Sequence, residues 1–189
     1  MPMKSILICD DEPIIRMGLK QLLVGLGFTD IFEGADGEAA VALALEKVPD
    51  IAILDISMPK KDGITAATEI RRRLKIPIIF LTACQDAEVM SRGIKAGVAA
   101  ILSKPVRGEE LWPAIELAFA HNEEIERLKE EVDDLKETLE TRKMIERAKG
   151  LLMKNHGLSE PEAFRKMQKL AMDKRKSLRQ IAEAILLME

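Results

Sequence analysis

The run KSILIC, residues 4–9, decides the fold, because this short apolar segment ends directly before two acidic residues, Asp10 and Asp11. Three similar apolar runs follow it along the chain: IAIL (51–54), IPIIFL (76–81) and VAAIL (98–102). Segments with helical patterning separate the runs, and this alternation predicts a parallel sheet with right-handed crossovers. We therefore expect an α/β fold, a five-stranded doubly wound parallel sheet with the strand order 2-1-3-4-5.

Polar residues follow these predicted strands at the edge where open α/β sheets bind ligands. The strand order brings Asp10, Asp11 and Asp55 together, with Thr82 and Lys104 along the same edge. Three clustered carboxylates need a cation to stay ionised, and oxygen ligands favour a hard ion such as Mg²⁺. A nucleophilic carboxylate beside Mg²⁺ and a lysine is suited to phosphoryl transfer. A single Asp at a strand end can instead start a turn or cap a helix, so the prediction depends on the whole set.

Four motifs at these strand ends resemble the receiver domain of two-component response regulators: ICDDEP (8–13), LDISMPKKDG (54–63), LTA (81–83) and LSKP (102–105). The resemblance covers about residues 1–120 and implies a flavodoxin-like receiver domain. It also implies that Asp55 accepts a phosphoryl group from a sensor histidine kinase. The protein would then assist its own phosphorylation and dephosphorylation without being an enzyme for other substrates.

The same resemblance implies roles for individual residues. Asp11, Asp55 and the backbone carbonyl of Ser57 would bind Mg²⁺ directly, and Asp10 would act on it mainly through water. Thr82 and Lys104 would hold phosphoryl oxygens. The Lys104–Pro105 bond is expected to be cis, which proline permits at small cost. The sequence departs from the family at Ile101, where a Tyr or Phe often stands and acts as a switch.

Composition indicates a protein without a membrane segment. No apolar run approaches the ~18 residues of a spanning helix, and the N-terminus lacks a secretory pattern. The two cysteines, Cys9 and Cys84, lie in or beside predicted strands. We expect them to be reduced core residues in the cytoplasm rather than a disulfide or metal pair.

Charge divides the chain into two parts. The net charge of −3 is the sum of −9 over residues 1–140 and +6 over residues 141–189. An acidic N-terminal part followed by a basic C-terminal tail indicates two domains with different partners. The basic tail is expected to bind a polyanion.

A long helix connects the two parts, because no glycine interrupts the segment from 109 to 149. Within its 115–140 portion, apolar residues recur at the 3-4-3-4 spacing of a coiled-coil seam. This pattern predicts a parallel homodimer, although a charged helix that packs on its own domain is the alternative. The predicted dimer seam consists of Ile125, Leu128, Val132, Leu135 and Leu139.

The tail, residues 141–189, is predicted to form a bundle of three amphipathic helices. The first ends near Gly157, and capping-box spacings start the second at about 160–172 and the third at about 178–188. Phe164 lies on the apolar face of the second helix and is expected in the core.

Basic residues of the tail indicate polyanion binding. Lys143, Arg147 and Lys154 fall within about 40° of one another on a helix, and Gly150 beside them permits close backbone approach. Lys174, Arg175 and Arg179 add further positive charge. DNA is a rival ligand, because SLRQIAEAI (177–185) resembles the first helix of a helix-turn-helix unit, but no recognition helix follows it. A tail that docks a protein partner is a third possibility.

The tail as a whole, residues 140–186, is similar to the ANTAR family of RNA-binding antiterminators. The similarity is clearest in IERAKGLLM (145–153), followed by EAF (162–164) and AM (171–172). It implies a domain that binds paired RNA hairpins in leader transcripts as a dimer and prevents a terminator from forming. Lys149, Gly150, Lys174 and Arg175 would be RNA-contacting positions, with Lys149 and Arg175 exposed.

Together these observations predict a response regulator in which phosphorylation of Asp55 promotes dimerisation and hairpin-RNA binding, and so causes transcription antitermination.

Overall fold

The computed structural model describes residues 5–83 and 87–187. The chain forms two compact units, residues 1–126 and 127–189. Cys9 is buried with a free thiol, and burial raises the pKa of this thiol to about 12, as expected for an inert core residue. Cys84, the other predicted core cysteine, lies outside the described residues.

Strands and helices alternate through the first unit, and helices alone form the second. The strands are β1 (Ser5–Cys9), β2 (Asp30–Gly34), β3 (Ile51–Asp55), β4 (Ile78–Thr82) and β5 (Ala100–Ser103). The helices are α1 (Pro13–Gly25), α2 (Gly37–Lys47), α3 (Gly63–Arg71), α4 (Ala87–Lys95), α5 (Gly108–His156), α6 (Glu160–Lys174) and α7 (Leu178–Leu186).

All strand pairs are parallel, and the strand order is β2-β1-β3-β4-β5. The predicted fold class and strand order are therefore confirmed. The apolar runs located every strand except β2, an edge strand whose sequence DIFEG contains two charged residues. An edge strand buries less of its surface than a central one, so its apolar pattern is weaker.

The sheet has a hydrophobic core on each face, because successive side chains of a strand point to opposite faces. Leu7, Leu54 and Phe80 belong to the core beneath α2 and α3. Ile8 and Ile53 belong to the opposite core, which α1 and the first turns of α5 cover. Both faces are thus covered, and the carboxyl ends of the strands form the accessible edge.

The second unit has its own small core, which includes Ala148, Ala163, Met167 and Ile181. Both predicted capping boxes are present, Ser159 with Glu162 at the start of α6 and Ser177 with Gln180 at the start of α7. The three predicted helices of the tail are confirmed, with α6 two residues longer and α7 two residues shorter than expected.

Candidate functional site

The carboxyl ends of four strands bring the predicted residues of the first unit together. Asp10 and Asp55 are buried, Thr82 is 5 % exposed at the end of β4, and Asp11 is exposed. Carboxylate oxygens of Asp10, Asp11 and Asp55 all lie within 4.8 Å of one another. Such an all-oxygen cluster has the ligand chemistry that Mg²⁺ prefers.

Lys104 joins this cluster from the segment after β5. Its Nζ lies 2.7 Å from Asp10 Oδ2 and 3.0 Å from Asp55 Oδ2. Asp10 Oδ2 is buried, and the Lys104 ammonium is its charge partner. Glu12 lies 3.6 Å from the same ammonium, a contact that the sequence motif did not indicate. The Lys104–Pro105 bond is cis, as predicted.

Burial and charge pairing act in opposite directions on the pKa of Asp55 and on the pKa of Lys104. Burial raises the pKa of Asp55, and the contact with Lys104 only partly offsets this effect. Burial lowers the pKa of Lys104, but the carboxylates of Asp10 and Asp55 outweigh it and leave this pKa raised. Lys104 therefore stays protonated beside two carboxylates, and a second cation would favour the ionised form of Asp55.

The loop between β3 and α3, which contains Ser57, is fixed from two sides. A Cβ at Gly63 would lie 2.0 Å from the carbonyl oxygen of Asp55, so only glycine allows α3 to start this close to the strand end. Lys60 Nζ contacts Asp36 Oδ2 at 2.6 Å, and the Asp36 side chain also caps α2. The pattern of strand ends could not reveal this support from α2.

Ile101 stands where the family often has an aromatic switch residue. It is half-buried and packs against the core beneath α2 and α3. An aliphatic side chain in this place can change its packing but offers no hydroxyl for a hydrogen bond.

In the second unit, the basic residues of α5 form an exposed stripe. Lys143, Arg147 and Lys154 are exposed, as is Gly150 between them. Lys143 contacts Glu140 at 2.9 Å. A Cβ at Gly150 would meet no atom within 4 Å, so packing within the chain does not explain this glycine.

The expectation that Lys149 is exposed is wrong. Lys149 is 8 % exposed, and its Nζ contacts Glu160 Oε1 at 2.7 Å and Glu146 Oε1 at 2.9 Å. Hydrogen bonds to Glu160 and Glu146 raise the pKa of Lys149. Helical periodicity could not show that α6 starts against this residue. The residue connects α5 to the start of α6.

Two further residues of this unit have notable surroundings. Arg179 is not a fully exposed cation, and Phe164 is not a fully buried core residue. Arg179 on α7 pairs with Glu183 at 3.2 Å and with Glu137 on α5, whereas Lys174 and Arg175 are exposed. Phe164, expected in the core, is half-buried beside Lys149, whose Nζ lies over the ring 5.8 Å from its centroid.

The predicted seam of α5 is largely exposed. The exposed fractions are 46 % for Leu128, 48 % for Val132, 63 % for Leu135 and 52 % for Leu139. Ile125 differs, because it is half-buried and lines a small cavity of the first unit with Ile76 and Pro77 among others. The first seam position is thus partly covered within its own unit.

Comparisons with known proteins agree with this geometry. The response regulator receiver domain family matches residues 6–116, and the ANTAR domain family matches residues 133–186. The chain belongs to the response regulator family. The transcriptional regulatory protein PdtaR of Mycobacterium tuberculosis is 45 % identical to it over 183 residues, which cover 97 % of this chain and 89 % of that protein.

Solved structures resemble the receiver domain. The receiver domain of a modulated diguanylate cyclase from Desulfovibrio desulfuricans has a TM-score of 0.59 at 32 % identity, and covers 62 % of this response regulator and 94 % of that chain. The CheX-CheY-BeF3-Mg²⁺ complex from Borrelia burgdorferi has a TM-score of 0.58 at 29 % identity, with 61 % and 89 % covered.

These matches place the observed clusters in named domains. Receiver domains bind Mg²⁺ at an acidic pocket, and Asp10, Asp11 and Asp55 form such a pocket in this response regulator. The basic stripe and Phe164 belong to the ANTAR domain. Among the helices that the structure describes, none has the length and apolar character needed to cross a membrane.

Proposed function

We propose that a sensor histidine kinase phosphorylates this response regulator on Asp55, and that the protein then dimerises and binds hairpin RNA to cause transcription antitermination. The observation that supports the first step best is the position of Asp55. Its carboxylate lies at the end of β3, 3.0 Å from the Lys104 ammonium and within the cluster formed with Asp10 and Asp11. The Lys104 ammonium, together with a Mg²⁺ ion held by the carboxylates, would supply positive charge where phosphoryl oxygens would sit.

The residues of the cluster have distinct roles in the proposed phosphoryl transfer. A carboxylate oxygen of Asp55 attacks phosphorus while the bond from phosphorus to the kinase histidine breaks, so that an aspartyl-phosphate forms. Lys104 and Thr82 stabilise the phosphoryl oxygens. Asp10, Asp11, Asp55 and the Ser57 carbonyl would hold Mg²⁺, which neutralises developing negative charge when bound.

RNA is proposed to bind the exposed basic stripe of the ANTAR domain, with Lys174 and Arg175 as additional contacts. Lys143, Arg147 and Lys154 present positive charge along one side of α5, and phosphate contacts of this kind supply most of non-specific affinity. Lys149 is buried and Arg179 is half-buried, and both contact carboxylates, so we assign them to the support of this surface.

Dimerisation is proposed to use the exposed part of the seam, from Leu128 to Leu139. These side chains leave apolar surface in water, which a second copy would cover. A dimer presents two ANTAR domains at once, so an RNA with two hairpins gains affinity from effective concentration.

The stripe should account for most RNA affinity. Replacing Lys143, Arg147 and Lys154 together with Gln should weaken hairpin binding at least tenfold, because each lost phosphate contact removes counterion release. The log–log salt dependence should also become shallower, by roughly 0.7 to 0.9 for each lost contact. Fluorescence anisotropy with tandem-hairpin RNA and with matched duplex DNA measures both effects.

A charge-matched control is the Gln variant of Arg165, Lys166 and Lys169, three exposed cations of α6 outside the stripe. This variant should retain most of the RNA affinity. Equal losses in both variants would argue against a defined stripe, and equal affinity for RNA and duplex DNA would favour a DNA-binding regulator.

Gly150→Ala should change stability and binding in opposite directions. A glycine within a helix costs about 1 kcal/mol relative to alanine, and the added methyl group meets open space in the protein, so thermal stability should rise. RNA affinity should fall several-fold if the RNA backbone approaches this point closely. Gly18→Ala in α1, where a methyl group also meets open space, is the control and should leave RNA binding unchanged. Unchanged RNA affinity in Gly150→Ala would remove Gly150 from the proposed contact surface.

A further inference from the structure

A groove of about 430 Å³ lies in the ANTAR domain between α5 and the starts of α6 and α7. Most of its surface is apolar. Four charged residues also line it, two cations and two carboxylates, so the lining has no net charge. The lining consists of Arg142, Ile145, Glu146, Lys149, Glu160, Pro161, Phe164 and Leu178.

Phe164 is the aromatic residue of this groove and the only one in the sequence from 127 to 189. Its ring is half-buried rather than enclosed in the domain core, which is formed by residues such as Ala163 and Met167 on the same helix. An aromatic ring that stays accessible beside an apolar groove offers a stacking surface to a flat partner.

Three of the four charged side chains that line the groove contact one another. Lys149 is nearly buried, and its Nζ binds one oxygen each of Glu146 and Glu160. Each carboxylate keeps a second oxygen that can accept a hydrogen bond, and the ammonium has a third proton to donate. Donors and acceptors grouped next to an apolar wall suit a flat ligand with a polar edge.

The charge pattern distinguishes this groove from the stripe. At 100° per residue, Glu146 lies about 60° around the helix from Lys143, so the groove adjoins the stripe. The stripe is positive and fits phosphates, whereas the groove is neutral overall and contains two carboxylates that would repel a phosphate. A neutral base attached to a phosphate on the stripe matches both surfaces.

We propose that this groove receives one unstacked nucleobase of the bound RNA, which stacks on Phe164 while its polar edge meets the Glu146–Lys149–Glu160 group. The inference rests on the proposed RNA-binding function and adds a base-specific contact to it. RNA recognition commonly targets loops, whose unstacked bases can lie against aromatic side chains. The groove thus gives the domain a means to select a base, which the stripe alone lacks.

The test uses the full chain and a pool of tandem hairpins with randomised loops. The tightest RNA selected by the wild-type protein is then resynthesised with each loop base in turn removed to leave an abasic site. Phe164→Leu keeps an apolar side chain but removes the ring plane, and Phe164→Trp keeps an aromatic one. Circular dichroism and melting curves check that both variants fold.

Phe164→Leu should lose about five- to 150-fold in affinity, the range of one stacked base, and Phe164→Trp should lose much less. Removing one particular loop base should weaken wild-type binding by a similar factor but have little further effect on Phe164→Leu. The fluorescence of a 2-aminopurine at that loop position should change on binding to the wild type and much less on binding to Phe164→Leu.

Two outcomes would contradict the inference in distinguishable ways. If Phe164→Leu binds the selected RNA as well as wild type, the groove receives no base, and RNA binding by the stripe still stands. In that case an apolar side chain of a protein partner becomes the better occupant. If no RNA is enriched from the pool, the proposed RNA-binding function itself fails, and this inference fails with it.

Discussion

Asp55→Asn is expected to incorporate no phosphoryl group from acetyl phosphate or a cognate kinase in the presence of Mg²⁺, while the wild-type protein gains one acid-labile group. The amide is not a competent nucleophile, and the substitution also removes one charge from the carboxylate cluster. Intact-protein mass spectrometry and phosphate-affinity gels measure the incorporation.

Asp62→Asn is the matched control, because it makes the same chemical change in the loop that follows Asp55. The Asp62 side chain caps α3 by accepting a hydrogen bond from the Thr65 backbone, and asparagine can also cap. This control should be phosphorylated like the wild type. Phosphorylation of Asp55→Asn to the wild-type level would place the phosphoacceptor elsewhere.

Val132→Lys combined with Leu135→Lys should make the protein monomeric even when Asp55 is phosphorylated. The two substitutions place like charges opposite one another at adjacent layers of the seam, where the wild type would bury apolar side chains. Sedimentation velocity, with and without beryllofluoride and Mg²⁺ as a mimic of the phosphoryl group, measures the change. Wild type should shift towards the dimer on activation.

The control for this prediction adds lysines to the same helix outside the seam. Glu130→Lys and Asp134→Lys replace exposed residues that lie at outer heptad positions, so this variant should dimerise like the wild type. A dimer that survives in the seam variant would have to form through another surface, such as the receiver domain.

The receiver site could be predicted from sequence because its chemistry stands at the ends of apolar strands. Once the strand order is known, Asp10, Asp55 and Lys104 must meet at one edge, and the structure has them within contact distance. The support from Asp36 and Lys60 could not be predicted in this way, because it depends on how the start of α2 meets a loop. The pattern of residues along the chain does not show which loop the start of a helix will contact.

In the ANTAR domain, the sequence predicted the helices but not the contacts of individual side chains. Helical periodicity correctly gave three helices and their caps, but it could not show which neighbour covers each side chain. Lys149 was expected on the surface but is buried and pairs with Glu160 of the next helix, while Phe164 was expected in the core and remains accessible. Both corrections arise from the way α6 begins against α5.

The contact between Arg179 and Glu137 has a consequence for how a dimer would recognise its target. Glu137 occupies the heptad position opposite the predicted seam, so α7 contacts the outer side of this part of α5. Pairing two such helices would hold the two ANTAR domains at a set separation. The dimer would then act as a molecular ruler, and the number of nucleotides between two hairpins would matter for recognition as much as the bases in their loops.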